Sequence, residues 1–445
     1  MWATAFTILF CFALVVQYST VSRFLTNPTY IVQKSSELLQ KPFPNVLIFP
    51  QVNFVEEKME RFLSEIKYPE PLNVSYARRV LRQLAAFLSP DVEYNSRDLE
   101  NMQRLLDYNE LDVETVGRRL TASCDEILLR CRWRRTIYNC SRLFSMEITR
   151  TGFCCVFNGR SLRREIKEHG IHRVKSDGSA RLNVSEVGFA NSLMIVVDQK
   201  QAAWSDIDLD YKWVALQSGQ HYIDVGVNGT PINPGQELWL AYLTRTVQAS
   251  DDALSLSTDL RKCHLSDEPL EYFPIYHESY CLLECEMRRT MKRCHCTKVA
   301  YPPVPGVPTC RAEQLQCARE VTVSSTQGEC NCHSTCNTDI DFAIPRILAY
   351  SLGSSNYTID GLYTGFDFNN VSIIRIYISS SNKLINQRCS YFTNYDLFAQ
   401  IGGTLNLFFG CSLLTLIELG IMAHRWFKNR SKDKKRNKCS KHKKN

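Results

Sequence analysis

The stretch YHESYCLLECEMRRTMKRCHC, residues 276–296, carries the densest structural signal in the chain. Its first two cysteines, Cys281 and Cys285, are one helical turn apart, so on a helix they share a face about 6 Å from each other. Farther along, Cys330 and Cys332 would share one face of an extended segment at about 6–7 Å. A helix and an extended segment could therefore be joined by two disulfide rungs, each adding about 3–4 kcal/mol.

The same cluster allows two other chemical interpretations. Thiolates and imidazoles at such spacings can bind zinc, and the residues available for this are Cys294, His295, Cys296, Cys330, Cys332 and His333. A cysteine protease would need a nucleophile paired with a base, and no such pair can be picked from cysteine-rich surroundings. The cellular compartment decides between bridges and zinc, because free thiolates belong to reducing compartments.

Cysteine number and glycosylation sequons both indicate an oxidising, secretory compartment. Sixteen cysteines, an even number, lie between two apolar segments at the ends of the chain. Six Asn-x-Ser/Thr sequons fall in the same region, at Asn73, Asn139, Asn183, Asn228, Asn356 and Asn370. A seventh, Asn429, lies near the carboxyl end and should stay unmodified if that end is cytoplasmic. Disulfides are therefore favoured over zinc.

The two apolar segments indicate membrane spans. Residues 3–22 are uncharged, and 20 helical residues extend about 30 Å, the thickness of a hydrocarbon core. Residues 397–422 are also long enough to cross and contain one acid, Glu418. A tail with 11 Lys and Arg and one acid follows at residues 423–445. The positive-inside rule then places the tail in the cytoplasm and the region between the spans outside.

Each apolar segment also has a simpler interpretation. The first could be a cleaved signal peptide, although it lacks a basic start, and cleavage would leave the outward placement unchanged. The second could be a plain anchor, but an anchor does not need its small and polar residues, Gly402, Gly403, Asn406, Gly410 and Glu418. Small residues let membrane helices approach closely, and polar ones face a partner or a cavity. This pattern favours a helix packed with other helices around a pore.

Composition excludes several classes of protein. With 445 residues, 44% hydrophobic and 22% charged, the chain is neither disordered nor collagen-like. A mean hydropathy of −0.23 excludes a many-pass transporter. Outside the tail, 42 basic and 45 acidic residues leave the body slightly acidic, which argues against nucleic-acid binding. The basic tail is either a solvated stop-transfer cluster or a site for anionic membrane lipids.

Eight short motifs are informative in combination. They are Phe43-Pro44-Asn45-Val46, Gly152–Asn158, Pro234-Gly235-Gln236-Glu237, residues 250–254, Arg261-Lys262-Cys263, Tyr276–Cys296, Ile401-Gly402-Gly403 and Gly410-Cys411-Ser412. In this order they resemble the epithelial sodium channel/degenerin family, which includes acid-sensing channels, and within it the insect pickpocket branch. The resemblance covers nearly the whole chain. It implies a trimeric membrane α+β channel in which two transmembrane helices flank a disulfide-rich ectodomain, with a β-sheet palm and helical finger and thumb.

The resemblance also implies a set of disulfides. The pairs are Cys281–Cys332, Cys285–Cys330, Cys294–Cys317, Cys296–Cys310, Cys263–Cys336 and Cys131–Cys140. The remaining Cys124, Cys154, Cys155 and Cys389 have three possible pairings. Phe49 stands where the family has the cysteine that would partner Cys154. We therefore expect Cys154 to pair with one of the other three.

For the pore, the resemblance assigns Gly410-Cys411-Ser412 to the belt that sets the narrow cation passage. Gly402 and Gly403 would supply a bend or a close contact above this belt. Small side chains let three helices converge, and freed backbone carbonyls can replace part of the hydration shell of sodium. Asn406 stands at a position that the family usually fills with glycine, so the degree of selectivity and the strength of blocker binding are not transferred from the family to this chain.

Two acids extend the expected pore. Glu418 resembles a family acid below the belt, where three copies would hold cations at the inner vestibule. Asp396 falls at the degenerin gating position, and three copies would form an acidic ring that draws cations to the mouth. The alternative for Asp396 is a helix N-cap. The family also carries a cytoplasmic gating segment before the first span, whereas only Met1 precedes Trp2 here, so a truncated subunit or a missing upstream exon is expected.

We therefore expect a non-voltage-gated, amiloride-sensitive, sodium-permeable cation channel subunit of the plasma membrane, opened by a ligand or by force, and not an enzyme. Its parts are a first transmembrane helix at 1–23, a glycosylated ectodomain at 24–395, a pore helix at 396–422 and a cytoplasmic tail at 423–445. It would form a homo- or heterotrimer with related subunits and need no cofactor or metal besides permeant Na⁺. Two alternatives are a silent regulatory subunit of a heteromeric channel and a cysteine-rich receptor or adhesion ectodomain on an anchor.

Overall fold

Two compact units make up the chain in a computed structural model. Unit 1 comprises Met1–Val32, Ala249–Arg261 and Arg388–Asn445, and unit 2 comprises Gln33–Gln248 and Lys262–Gln387. The residues that the structure describes are 2–37, 41–49, 54–88, 92–150, 152–159, 161–170, 182–184, 186–188, 191–199, 212–217, 229–268, 270–324, 330–348, 365–391, 394–410, 412, 414–415, 417–426 and 428.

Helices and strands alternate in blocks along these residues. The helices are α1 (Trp2–Thr26), α2 (Glu56–Glu65), α3 (Val74–Leu81), α4 (Ala85–Leu88), α5 (Ser96–Tyr108), α6 (Val113–Leu120), α7 (Cys124–Ile127), α8 (Leu162–His169), α9 (Asp251–Leu254), α10 (Thr258–Arg261), α11 (Glu278–Cys294), α12 (Ala312–Ser324) and α13 (Asn394–Phe409), with 3-10 turns at Arg82–Leu84 and Cys140–Arg142. The strands are β1 (Thr29–Glu37), β2 (Lys41–Pro42), β3 (Asn45–Phe49), β4 (Leu128–Trp133), β5 (Thr136–Tyr138), β6 (Phe144–Thr149), β7 (Gly152–Phe157), β8 (Asn183–Val184), β9 (Leu193–Asp198), β10 (Lys212–Gln217), β11 (Thr230–Ile232), β12 (Glu237–Ala249), β13 (Cys263–His264), β14 (Ser334–Thr335), β15 (Thr338–Leu348), β16 (Val371–Ile378) and β17 (Asn382–Ser390).

The larger sheet has the strand order β1-β17-β12-β16-β9-β4-β5, and β15 pairs with β12. β9 and β16 lie side by side and antiparallel near its middle, with Ile376 opposite Leu193. Both strands are buried along nearly their whole length, as expected for runs of β-branched residues covered on both faces. Residues 193–197 and 372–378, which are rich in β-branched side chains, thus lie in the two central strands.

A smaller sheet of order β11-β10-β3-β7-β6 shares a core with the larger one. At this core Phe43, the first residue of the Phe-Pro motif, is fully buried. Its ring makes edge contacts with Trp133, Phe157 and Tyr242, with centroids 4.7, 5.6 and 5.3 Å apart. Edge-to-face aromatic pairs add about 0.5–1.5 kcal/mol each beyond area burial. The motif therefore fixes both sheets to one another.

Short amphipathic helices form a separate apolar cluster. α5 begins at an Asn95 cap, whose side chain accepts hydrogen bonds from the backbone of Arg97 and Asp98, and buries Leu99, Met102, Leu105 and Leu106. Residues 80–88, whose apolar side chains recur at helical spacing, form the end of α3, a 3-10 turn and α4. Side chains of α11 and α12 join the same cluster. The cysteine-rich helix α11 is thus held by packing as well as by bridges.

Seven disulfides are present among the described residues. Six are the pairs that the family resemblance implies: Cys281–Cys332, Cys285–Cys330, Cys294–Cys317, Cys296–Cys310, Cys263–Cys336 and Cys131–Cys140. The seventh joins Cys124 to Cys155. Since Cys294, Cys296, Cys330 and Cys332 all lie in bridges, none of them offers a thiolate to zinc, and the zinc interpretation is wrong.

The double rung has the expected geometry on one side only. Cys281 and Cys285 lie on α11, with Cα atoms 5.8 and 6.2 Å from those of Cys332 and Cys330. Cys330 and Cys332 do not lie on a strand, because the Cys332 amide donates to the Cys330 carbonyl at 2.7 Å and closes a tight turn. The prediction of an extended partner segment is wrong, yet a turn brings the two sulfurs within reach equally well.

The prediction that Cys154 pairs is also wrong, because the structure leaves it as a buried free thiol. Successive side chains of a strand point to opposite faces, so Cys155 reaches Cys124 while Cys154 points away from it. Cys154 packs instead with Phe49, Leu47 and Ala215. Phe49 fills with a phenyl ring the place where a bridging cysteine would stand.

Candidate functional site

Unit 1 contains the first apolar helix. Within the described part of the chain, one helix is long and apolar enough to cross a membrane, Phe6–Thr26 in α1, and a signal sequence would have the same properties. Ile8 and Val15 are two-thirds exposed in the isolated chain. Contiguous exposed apolar surface of this kind marks a membrane or protein contact. α1 ends three residues beyond the predicted boundary at residue 23.

α1 packs against α13 in an antiparallel pair. The Phe6 and Phe409 rings lie 5.6 Å apart and the Phe12 and Phe408 rings 6.0 Å apart. Farther along, the Gln17 side-chain amide donates to the Ile401 carbonyl at 3.4 Å. As residue numbers rise along α1, the contacted residues of α13 fall, so the helices run in opposite directions.

Just beyond this helix pair, still within unit 1, the segment after α1 contacts the segment before α13. The Tyr391 amide donates to the Pro28 carbonyl at 2.8 Å, and the Tyr30 and Tyr391 rings lie 4.5 Å apart. The guanidinium of Arg23 lies over the Tyr391 ring at 4.8 Å. Tyrosines and basic residues concentrate where a membrane helix meets water. Sequence reasoning missed this cluster, although its aromatic residues flank both apolar segments.

The small and polar residues predicted for the pore lie on the face of α13 that α1 leaves uncovered. Gly402, Gly403, Asn406 and Gly410 are all exposed, and a Cβ atom added to any of the three glycines would meet no atom within 4 Å. Packing within one chain therefore does not explain these glycines. Residues at intervals of three and four positions lie on one face of a helix. Such intervals connect Gly410, Asn406 and Gly403 to Ala399 and Asp396, and we call this face the stripe.

α13 stops at the predicted belt. Its last residue is Phe409, and Gly410 has a φ of +62°, which favours glycine. The Gly410 amide donates to the Asn406 carbonyl at 2.8 Å, and helical residues resume at 414. The Ser412 hydroxyl accepts from the Thr415 amide at 3.3 Å, as a helix cap does. A break at Gly410 and Ser412 thus separates two helical parts of the predicted pore segment at 396–422.

The break lies at the residues that the sequence predicts as the belt. A helix end releases the carbonyl groups of its last turn from the helical ladder, and such carbonyls can coordinate a dehydrating cation. Cys411, the middle residue of the belt, lies outside the described residues. Glu418 is exposed on the helical part that follows.

Asp396 lies inside the first turn of α13, which begins at Asn394. An N-cap residue precedes the first helical residue, so the cap interpretation of Asp396 is wrong. The side chain is exposed, and an acid in the first turn is favoured by the helix dipole. Asp396 therefore begins the stripe that contains Gly403, Asn406 and Gly410.

The sequons are placed unevenly. Asn73, Asn139 and Asn183 are exposed, and the first two use their side-chain oxygen as a cap for the following turn. Asn370 is half-buried beside Asp367. Asn228, Asn356 and Asn429 lie outside the described residues, as does the basic tail from residue 429 onward.

Comparison with known proteins identifies the family. A family model described as amiloride-sensitive sodium channel matches residues 1–422. The chain belongs to the amiloride-sensitive sodium channel family. Members of this family are ion channels and not enzymes, so the predicted absence of enzymatic activity follows from membership.

Three relatives illustrate the family's range. The sodium channel protein Nach of Drosophila melanogaster is 24% identical over 94% of this chain and 80% of its own length. Pickpocket protein 19 of the same species is 24% identical over 77% of this chain and 69% of its own. Acid-sensing ion channel 2 of Rattus norvegicus is 25% identical over 62% of this chain and 52% of its own. The predicted relation to the pickpocket branch and to acid-sensing channels is confirmed.

Proposed function

We propose that the chain is a pore-forming subunit of a sodium-permeable, amiloride-sensitive channel of the plasma membrane. α1 and the segment from α13 to residue 422 form its two spans, unit 2 faces outward and the basic tail lies in the cytoplasm. The observation that carries this proposal is the antiparallel α1–α13 pair, whose uncovered face bears the small and polar stripe ending at Gly410.

The stripe supports assembly of several copies. In a single chain Gly402, Gly403 and Asn406 face open space, which would place polar and backbone groups against lipid if the chain were alone. Burying such a group without a partner costs several kcal/mol. Three copies that turn this stripe toward a common axis remove that cost and create a water-filled path. Related chains can supply the other two copies.

Conduction then follows from the order of groups along the stripe. Asp396 attracts cations at the outer mouth, and the Asn406 side chain offers a neutral oxygen. At Gly410 to Ser412 the helix break presents backbone carbonyls in place of water. Glu418 holds cations on the cytoplasmic side. Sodium is the permeant ion of this mechanism, which involves no cofactor.

Expression in oocytes tests the proposal directly. We expect a sodium current that amiloride blocks, together with surface labelling of unit 2. Surface expression without current, alone or with related subunits, would argue against a pore-forming role. A current restored only by a related subunit would make this chain a member of a heteromeric pore.

Accessibility of the stripe tests its orientation. Gly403→Cys and Asn406→Cys should react with a water-soluble thiol reagent in assembled channels, whereas Phe408→Cys, on the face that contacts α1, should not. Equal protection of all three cysteines would show that the stripe faces lipid or protein and would overturn the pore assignment.

In the proposed trimer, three copies of Asp396 form an acidic ring at the outer mouth of the pore. Asp396→Asn removes three charges and keeps the size of the side chain, so unitary sodium conductance should fall. The loss should be large at 0.01 M salt and small at 1 M, because the Debye length shrinks from about 30 to about 3 Å. Asp396→Glu is the matched control and should retain conductance. Unchanged conductance of the asparagine variant at low salt would contradict the proposed acidic ring.

A further inference from the structure

Two of the seven disulfides differ from the others in exposure. Cys281, Cys285, Cys330 and Cys332 are all half-buried. In the other five bridges nine of the ten cysteines are buried, and Cys317 is the exception. Rates of thiol–disulfide exchange depend on access to sulfur. Exposure therefore singles out the double rung on α11 as the reactive pair.

The double rung lines a cavity of about 580 Å³. Both bridges contribute to its wall, together with Asn331, which lies between Cys330 and Cys332. Sites for small molecules typically enclose about 300–1,000 Å³. The cavity is thus large enough to bring a small molecule, and not only water, against the sulfur atoms.

Charges of both signs surround the sulfurs. Arg288 and Arg289 follow Cys285 by three and four residues, so they lie on the same face of α11, and both line the cavity. Glu284, which is ion-paired with Arg288, and Glu268 line it as well. Guanidinium groups stabilise a departing thiolate. The mixture of charges suits a zwitterionic thiol, such as a short peptide with an amine and carboxylates.

We propose that this cavity admits a small extracellular peptide thiol, which exchanges with the Cys281–Cys332 and Cys285–Cys330 bridges and leaves the other five bridges closed. That the thiol is extracellular rests on the proposed function, in which unit 2 faces outward. The site is a modification site, separate from the stripe of α13.

The chemistry balances with two equivalents of thiol for each bridge. One thiolate attacks a bridge sulfur, forms a mixed disulfide and releases the other cysteine as a thiolate, which takes up a proton. A second thiolate attacks the small-molecule sulfur of the mixed disulfide and releases the second cysteine. The products are the oxidised dimer of the small thiol and two cysteine thiols, so two electrons pass to the protein.

The nested arrangement makes the response stepwise. The two bridges span 51 and 45 residues and close nearly the same loop. When one of them opens, the other still holds residues 330–332 on α11. The segment is released only when both bridges have exchanged.

Differential alkylation of the detergent-purified full chain tests this site without reference to current. Reduced glutathione is added in graded doses, new thiols are alkylated, and each cysteine is quantified by mass spectrometry. We expect Cys281, Cys285, Cys330 and Cys332 to be modified about tenfold faster than the cysteines of the buried bridges. Equal rates at all bridges, or faster opening of a buried bridge, would overturn the proposal.

Two substitutions at one position separate the cavity from simple exposure. Asn331→Trp places a large ring beside the double rung and should slow modification by glutathione several-fold, whereas Asn331→Ser should leave the rate unchanged. Equal rates in both variants would show that no cavity controls access. Because both variants are read by labelling of folded protein, failure here is distinct from failure to conduct sodium.

Discussion

Cys154 and Phe49 lie on adjacent antiparallel strands in one buried cluster. The register of β3 and β7 sets Ile48 opposite Cys155, and one further step sets Phe49 opposite Cys154. Side chains in such positions have Cβ atoms about 4.5–5.5 Å apart, close to the separation that a disulfide needs. Burial raises the pKa of the Cys154 thiol strongly, so this cysteine is an inert apolar side chain.

Restoring a cysteine opposite Cys154 should create an eighth bridge. In Phe49→Cys we expect peptide mapping of the oxidised protein to find the introduced sulfur joined to Cys154. The loop closed is about 100 residues long, and such bridges typically stabilise by about 2–4 kcal/mol. Phe49→Ser, which removes the ring without adding sulfur, is the control and should unfold at a lower temperature. A free thiol at Cys154 in the cysteine variant would contradict the register.

Glu114, in the first turn of α6, lies near three basic side chains, Arg118, Arg163 and Lys167. It lies 2.8 Å from Arg163 and 3.4 Å from Arg118, and its side chain is 16% exposed. Burial alone would raise its pKa, but Arg163, Lys167 and Arg118 outweigh burial and hold the pKa below the usual 4.5. Its stabilising effect is therefore present above pH 4.5 and is lost as the pH falls through the lowered pKa.

Glu114→Gln should remove this pH-dependent stability. At pH 7 we expect the variant to be about 1.5–3 kcal/mol less stable, the usual value of a hydrogen bond to a charged group. The difference should shrink below pH 4.5 and vanish where wild-type Glu114 is protonated, as measured by urea unfolding across the pH range. Glu313→Gln, at an exposed position of α12, is the matched control and should have nearly the wild-type stability at pH 7.

At the scale of elements, the two bridges of the double rung do not stabilise the protein additively, because the contribution of each depends on whether the other is closed. With one rung closed, the other adds a ring of only about eight residues, worth roughly 2.5 kcal/mol in the chain-entropy account, whereas the last rung closes about 50 residues, worth roughly 4 kcal/mol. Removing the first cysteine pair, whichever it is, should therefore lower the free energy of unfolding less than removing the second pair afterwards.

Cysteine-to-serine pairs measure this inequality. Cys281→Ser with Cys332→Ser, and Cys285→Ser with Cys330→Ser, should each lower stability by about 2–3 kcal/mol, and the fourfold variant by about 6–7 kcal/mol. Thermal unfolding of all four proteins closes the cycle. Strict additivity, or a larger loss in the first step than in the second, would contradict nested loops.

The same elements show how far local pattern reasoning reaches. Cys281 and Cys285 could be placed on one helix face because helical spacing is a local property. The Cys124–Cys155 bridge could not be chosen from its alternatives, because it depends on which face of β7 meets α7. Hydropathy alone does not locate the break after Phe409, because it registers a continuous apolar run, whereas the left-handed conformation of Gly410 depends on backbone geometry.

At the scale of the whole chain, the combination of motifs predicted the family and most of the disulfides, but it predicted little of the path that the backbone takes. The antiparallel direction of α1 and α13 was implied by two spans on either side of one ectodomain. The contacts that realise it, between phenylalanines and at Tyr391, needed a three-dimensional structure, because residues hundreds of positions apart carry no joint pattern in a single sequence.

Glycan occupancy is a readout of this whole-chain topology. Asn73, Asn139 and Asn183 are exposed, and glycans attach through the side-chain nitrogen, which leaves the capping oxygen of Asn73 in place. Ser75→Ala, which removes the sequon and retains that cap, should lower the apparent mass by one glycan. Ser431→Ala, which removes the tail sequon at Asn429, should leave the mass unchanged. A mass loss in the second variant would place the tail outside.

The hydrogen bond between the Tyr391 amide and the Pro28 carbonyl closes more than 350 residues into a loop whose two ends are in contact. An insert whose ends already touch carries little entropic penalty for being joined elsewhere. The fragment from Pro28 to Tyr391 is therefore suited to secretion as a soluble protein whose two ends are linked by a few glycines.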